Sequence, residues 1–214
     1  CSSDLMKMRS LPTGISEILP GFLYRGSGRD ARDEEELHRW KISHILNVAS
    51  DWPKHAMTDK QGRELQYLQV PLEDRYSENI SWALDRAFEF IEEARGVQER
   101  ETNEKKEQEK EEKETEENES EGEKVIETER RVLVHCAVGK SRSPTIVMAY
   151  LMKHHNMSLK DAYNLVMQKR RLPGLNVCPN NSFMRQLMAY EVTLSQEKLQ
   201  GILSLSLSLS FFVV

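Results

Sequence analysis

Three cysteines, Cys1, Cys136 and Cys178, are all that the 214-residue chain contains. The number is odd and too small for a disulfide scaffold, which points to a reducing compartment and leaves a thiol free for chemistry. Long apolar runs are missing too. A membrane helix needs roughly 18 consecutive apolar residues, whereas the most apolar stretch, Ile202 to Val214, has 13 residues interrupted by four serines. The reading is a soluble protein, cytoplasmic or nuclear, with no membrane span. The chain starts at Cys1 rather than Met, and its first ten residues carry Asp4, Lys7 and Arg9 with no apolar segment, so no signal peptide is expected. His38, His44, His55, His154 and His155 show no ligand spacing with Cys or carboxylates, so neither a metal nor a cofactor is expected.

Charge is plentiful but unevenly placed. The net −5 of the whole chain conceals a tract, residues 96 to 130, with 15 Glu against 7 Lys or Arg. The remainder is mildly positive, which suits an anionic ligand without the dense basic patch of a nucleic-acid binder. Nucleic acid is therefore not an expected partner. The tract has too few apolar residues to bury a face and reads as a disordered Glu/Lys-rich insert, a solvated single helix being the alternative. Length allows one domain with appendages. The expected division is an N-terminal extension (1–13), a folded domain (14–195) interrupted by the insert (97–130), and a tail (196–214) of no assigned role.

On either side of the insert the pattern is regular. Ile42 to Val48, Leu65 to Val70 and Val132 to Val134 are short apolar runs rich in β-formers and predict buried strands. From Asn79 to Arg95, Ile80, Ala83, Leu84, Ala87, Phe88, Ile91 and Ala94 fall at the spacing of one helix face. A buried helix is expected from Pro144 to His154, a capped one after Ser158, and a last one with Phe183, Leu187, Tyr190 and Leu194 as its stripe. Strands alternating with helices predict an α/β fold, a central and mainly parallel sheet flanked by helices. The closing LSLSLSLSFFVV alternates with period two and predicts an edge strand or an irregular end.

Chemistry concentrates in RVLVHCAVGKSRSPTIVMAY, residues 131 to 150. A strand ends at His135-Cys136, and Arg142-Ser143 opens a helix. The loop between them, Ala137, Val138, Gly139, Lys140 and Ser141, should turn backbone N–H groups inward beside the positive end of the helix dipole, an arrangement that binds phosphate. Arg142 adds a planar fork for two phosphate oxygens. A thiol at a helix N-terminus beside a cation is a nucleophile, so Cys136 is expected to attack phosphorus.

The pattern His-Cys-x-x-Gly-x-x-Arg-Ser resembles the signature of the cysteine-based protein tyrosine phosphatase superfamily. With LQVPLEDRYSENI before it and PNNSFMRQLMAYE after it, the likeness extends to the dual-specificity branch over residues 14 to 195, insert excluded, and to the atypical type with no preceding docking domain. The resemblance implies a cysteinyl-phosphate intermediate on Cys136, with Asp74 as general acid and then base and Glu73 as its rival. It further implies that Ser143 stabilises the departing thiolate, that Asn180 braces the loop, and that His135 is an orienting residue or a packed strand end. The implied partner is a phosphorylated protein, a MAP kinase by family analogy alone. Two alternatives stay open, a phosphatase of phosphoinositides or RNA 5′ ends and a catalytically weak phospho-binding scaffold. The link LPGLNVC after Arg170-Arg171 is longer than the family's and puts a second phosphate pocket there in doubt. Cys178 reads as a loop cysteine, with a resolving thiol as the alternative. The compact GFLYRGSGRDA, in which Phe22 and Tyr24 alternate as strand residues, implies a shallow pocket open to phosphotyrosine and phosphothreonine.

Overall fold

A computed structural model describes residues 14–53, 58, 62, 64–96, 130–169 and 177–210. The N-terminal extension, the insert up to 129 and the segment holding Arg170-Arg171 lie outside the described residues. Five strands form one sheet: β1 (Ser16–Leu19), β2 (Leu23–Ser27), β3 (His44–Asn47), β4 (Gln66–Gln69) and β5 (Val132–Cys136). Their order is β1-β2-β5-β3-β4, with β1 antiparallel to β2 and every other pair parallel. The expected mainly parallel α/β sheet is the one observed.

Alternation along the strands separates two cores. Tyr24, Ile45 and Leu133 face a smaller cluster with Ile15, Ile42 and Leu65, sealed by Leu37 from helix α1 (Glu34–Arg39). Leu23, Leu46, Val132 and Val134 face the larger one, built against α2 (residues 81–96), α3 (Arg142–His154), α4 (Leu159–Gln168) and α5 (Asn181–Ser210). Helix α2 buries Ala83, Leu84, Ala87, Phe88, Ile91 and Ala94 there, as its periodicity predicts. The Ser158 hydroxyl caps α4 by accepting from the Asp161 N–H at 3.1 Å.

One expectation fails. The Leu-Ser repeat forms neither an edge strand nor an irregular end; α5 carries it in helix as far as Ser210. Phe183, Leu187 and Leu194 root that helix in the core, while Leu199, Ile202 and Leu203 are more than half exposed. Each residue added to an existing helix brings one more backbone hydrogen bond, whereas a strand needs a partner edge, and helix propagation wins.

Parallel topology brings the C-terminal ends of β2, β3, β4 and β5 to one edge. Ser27 pairs with Cys136, Asn47 with His135, and Asn47 with Gln69. Loops leaving that edge hold the candidate site, as ligands in parallel sheets require.

Candidate active site

Five residues, 137 to 141, join β5 to α3. Gly139 adopts φ +77°, and a Cβ there would stand 2.9 Å from the Gly26 carbonyl oxygen, so both backbone and space demand glycine. The loop's carbonyls are held from outside: Ala137's accepts from the Gly28 N–H at 3.2 Å, Lys140's from the Cys178 N–H at 2.8 Å, and Gly139's from Arg25. Its amides are differently placed. Gly139 N–H points at the Cys136 Sγ, 3.2 Å away, and among the described residues those of Ala137, Val138, Lys140 and Ser141 donate to no protein group. Carbonyls turned out and amides left over are the donor pattern of an anion cradle at a helix N-terminus.

Cys136 is buried at the base of this loop. Besides the Gly139 amide, its sulfur takes the Ser143 hydroxyl at 3.4 Å. Arg142, also buried, donates through Nη1 to the Leu72 carbonyl at 3.2 Å and to Asp51 Oδ1, and through Nη2 to Asp51 Oδ2 at 3.4 Å. Burial opposes the charge on Arg142, but the Asp51 hydrogen bond and the charges of Cys136, Asp51 and Asp74 outweigh it and raise its pKa. Burial likewise disfavours the Asp51 carboxylate, and the Arg142 hydrogen bond and charge overcome it, holding that carboxyl below the usual range.

Asp74 lies at the mouth of the loop. Its Oδ1 accepts from the Ser141 hydroxyl and from the Asn180 side-chain amide, both at 2.8 Å. Glu73 turns elsewhere and pairs with exposed Arg75 at 2.8 Å. Asn180 serves three elements at once: its N–H donates to Ser141 Oγ at 3.1 Å, its Nδ2 to Asp74, and its Oδ1 receives the Phe183 N–H at 2.9 Å at the start of α5. His135 is buried in β5 with its carbonyl taken by the Val48 N–H, and Lys140 is exposed at the rim. Cys178 is a free, exposed thiol. A cleft lined by Tyr76, Glu78, Ser182, Gln186 and Tyr190 runs along α5.

The sequence residues singled out thus converge on one edge. Two side chains in contact with them were not foreseen. Asp51 lies in the loop leaving β3, and the edge rule that places Asp74 and Cys136 together reaches it as well. Arg25 is a lone charge within the apolar strand LYRGS, where a buried cation needs a partner.

Comparison with known proteins gives one consistent answer. The family model described as "Dual specificity phosphatase, catalytic domain" matches residues 97–193. Human dual specificity protein phosphatase 6 is 35% identical over 185 residues, covering 86% of this chain and 38% of that protein. Dual specificity protein phosphatase Mpk3 of Drosophila melanogaster is 33% identical over 175 residues, 82% of this chain and 33% of its own length. The chain therefore spans well under half the length of these relatives. The crystal structure of human DUSP28 superposes with a TM-score of 0.60 at 26% identity, covering 86% of this chain and 97% of that one.

Proposed function

Since the chain belongs to the dual-specificity phosphatase family, we propose that it is a protein phosphatase removing phosphate from tyrosine and from serine or threonine. The observation that carries this reading is the Cys136 sulfur, met by the Gly139 N–H and the Ser143 hydroxyl at the base of a loop whose remaining amides have no protein acceptor.

The reaction follows from the groups present. The phosphate sits in the loop of Ala137 to Ser141 beside Arg142, whose Nε has no protein partner among the described residues and whose Nη2 exchanges its 3.4 Å bond to Asp51 for a phosphate oxygen, while Nη1 stays on Asp51 and the Leu72 carbonyl. The Cys136 thiolate attacks phosphorus; the S–P bond forms as the P–O ester bond breaks, and Asp74 gives its proton to the departing oxygen. Asp74, now a carboxylate, takes a proton from a water whose oxygen attacks phosphorus. The S–P bond breaks, inorganic phosphate leaves, and the Ser143 hydroxyl stabilises the returning thiolate. Asn180 keeps Asp74 and the loop in register, and His135 anchors the end of the strand that presents Cys136.

The substrate class that the family resemblance implies is a phosphorylated protein such as a MAP kinase activation segment. A peptide phosphorylated on one Thr and one Tyr, followed site by site by mass spectrometry, tests the proposal. Both phosphates are expected to leave with the wild-type chain and neither with Cys136→Ser. Faster release from a phosphoinositide or an RNA 5′ end than from any phosphopeptide would overturn the protein assignment.

A further inference from the structure

Arg25 is a buried cation for which the proposed reaction gives no role. It occupies the middle of β2, only 7% exposed, opposite Val134 in the parallel register, with Ser27 opposite Cys136 two residues further on. Period-two alternation puts the Arg25 side chain on the face shared by Val134 and Cys136. Its Nη1 donates to the Gly139 carbonyl and its Nη2 to Ser16 Oγ at 3.2 Å, while Nε has no partner among the described residues. None of its hydrogen bonds goes to a carboxylate. Asp30 is near enough to act through its charge, but its oxygens accept from Gly14 N–H at 2.6 Å, Ser27 N–H at 2.6 Å and Ser27 Oγ at 2.7 Å. A guanidinium taken out of water with no carboxylate on its nitrogens is costly, and the apolar face of Leu23 and Val134 would accept a leucine in its place.

Two consequences of the geometry justify that cost. The carbonyl held by Arg25 belongs to the planar, trans peptide between Gly139 and Lys140. Pinning its oxygen outward aims the Lys140 N–H the opposite way, into the cradle. That amide is one of those without a protein acceptor. The guanidinium also stands in the field of Cys136: burial lowers the Arg25 pKa, and the charges of Cys136 and Asp30 counter it.

The geometry points to Arg25 as a positioning residue of the catalytic loop, a second buried guanidinium that orients the Gly139–Lys140 peptide toward the phosphate and favours the ionised form of Cys136. This rests on the phosphatase reading above. It assigns the loop two cations, Arg142 for the phosphate and Arg25 for the thiolate and the loop backbone.

The test uses the full chain with Arg25→Leu, Arg25→Gln and Arg25→Lys, each checked for folding by its thermal transition. Two readouts are taken: kcat and KM on a small aryl phosphate, and the pH profile of Cys136 alkylation by iodoacetamide, located by mass spectrometry. The charged groups that act on Cys136 among the described residues are Arg25 from β2 and Arg142 from α3, the latter in turn coupled to Asp51 and Asp74 from the loops after β3 and β4; all but Arg25 stay constant across the series. Arg25→Leu and Arg25→Gln are expected to move the alkylation profile to higher pH and to lower kcat/KM by up to about 10²-fold, the scale of losing an aligned oxyanion donor. Arg25→Lys should return the profile toward wild type while kcat/KM stays lowered, because an ammonium keeps the charge without the fork. A wild-type profile in folded Arg25→Gln, or equal losses in all three variants with an unmoved profile, would overturn the assignment. Alkylation needs no turnover. A wild-type chain inert on every phosphate ester therefore sinks the phosphatase reading while the profiles still decide the role of Arg25.

Discussion

Asp74 and Glu73 are adjacent in sequence, yet their carboxylates have different company. Asp74 is bound by Ser141 from within the loop and by Asn180, whereas Glu73 is engaged by Arg75, which is 60% exposed. A general acid must stand within reach of the leaving oxygen at the cradle's mouth, and general acid–base catalysis supplies typically about 10²–10⁴-fold. Asp74→Ala is accordingly expected to lower kcat on a phosphotyrosyl peptide by about that factor while the covalent route through Cys136 still operates. Glu73→Ala should stay near the wild-type rate, since an exposed ion pair contributes little. Steady-state kinetics on the two variants decides the matter, and a wild-type rate for Asp74→Ala would transfer the search to Glu73. Cys136, Arg142 and Asp74, to which the proposal gives the chemistry, could be placed together from the sequence because each is a chemical residue type at the end of a parallel strand or soon after it. Asp51 follows β3 at the same edge but no motif marks it, and its partner Arg142 lies 91 positions away; Arg25 meets Gly139 across 114 positions, a contact that only folding makes.

Elements with a repeated apolar face were read from their spacing, as α2, β3 and β5 show, whereas β4, expected as a buried strand, lies at the edge of the sheet and none of its four residues is buried. Elements with few apolar residues were not foreseen. Helix α1 buries a single side chain, Leu37, so no period exists to detect, and the four residues of β1 mix Ser and Glu with two apolar neighbours. The Leu-Ser repeat had a period but no strand to pair with, and α5 simply continued through it. Elements also create sites of pH sensitivity that no motif marks. Where the ends of α2 and α3 meet, Tyr150 donates to Glu92 at 2.5 Å, His154 stacks on Tyr150, and Arg95 lies 3.0 Å from His155 Nε2. Burial lowers the pKa of both histidines; for His154 the charge of Glu92 opposes this and falls short, and for His155 the charge of Arg95 adds to it. A histidine whose folded pKa is depressed contributes stability above its unfolded value of about 6.5 and loses it as pH falls through the folded one. The thermal midpoint is therefore expected to fall on acidification from about pH 7.5 to 5.5, and less steeply in His154→Gln/His155→Gln. Equal slopes for the two proteins would remove these histidines as its source.

At the scale of the whole molecule, the sheet has a chemical edge and a structural edge. Helix α3 starts at the cradle with Arg142 and, at 13 residues and roughly 1.5 Å per residue, ends about 20 Å away. Arg95, at the end of α2, meets His155 there. On that same far edge Arg131, leading into β5, takes the Ser43 and His44 N–H groups on its carbonyl at 3.0 Å. The chain thus leaves the described part at residue 96 and re-enters at residue 130 on the side remote from Cys136, as the parallel topology requires. Between those points lies the tract that carries 15 of the chain's 35 acidic residues. Its attachment points are both fixed by packed elements: Ala94 is in the core on one side, Val132 on the other. Shortening a loop between fixed ends changes closure entropy slowly, about 0.6 kcal/mol per halving of length. Removal of residues 101–123 is thus expected to leave kcat/KM on a small aryl phosphate within about twofold, because the reacting groups are held by contacts on the other edge. Steady-state kinetics of the deletion variant, with circular dichroism to establish that it is folded, measures this. A folded variant that had lost most of its activity would mean that the tract reaches the catalytic edge despite the placement of its ends.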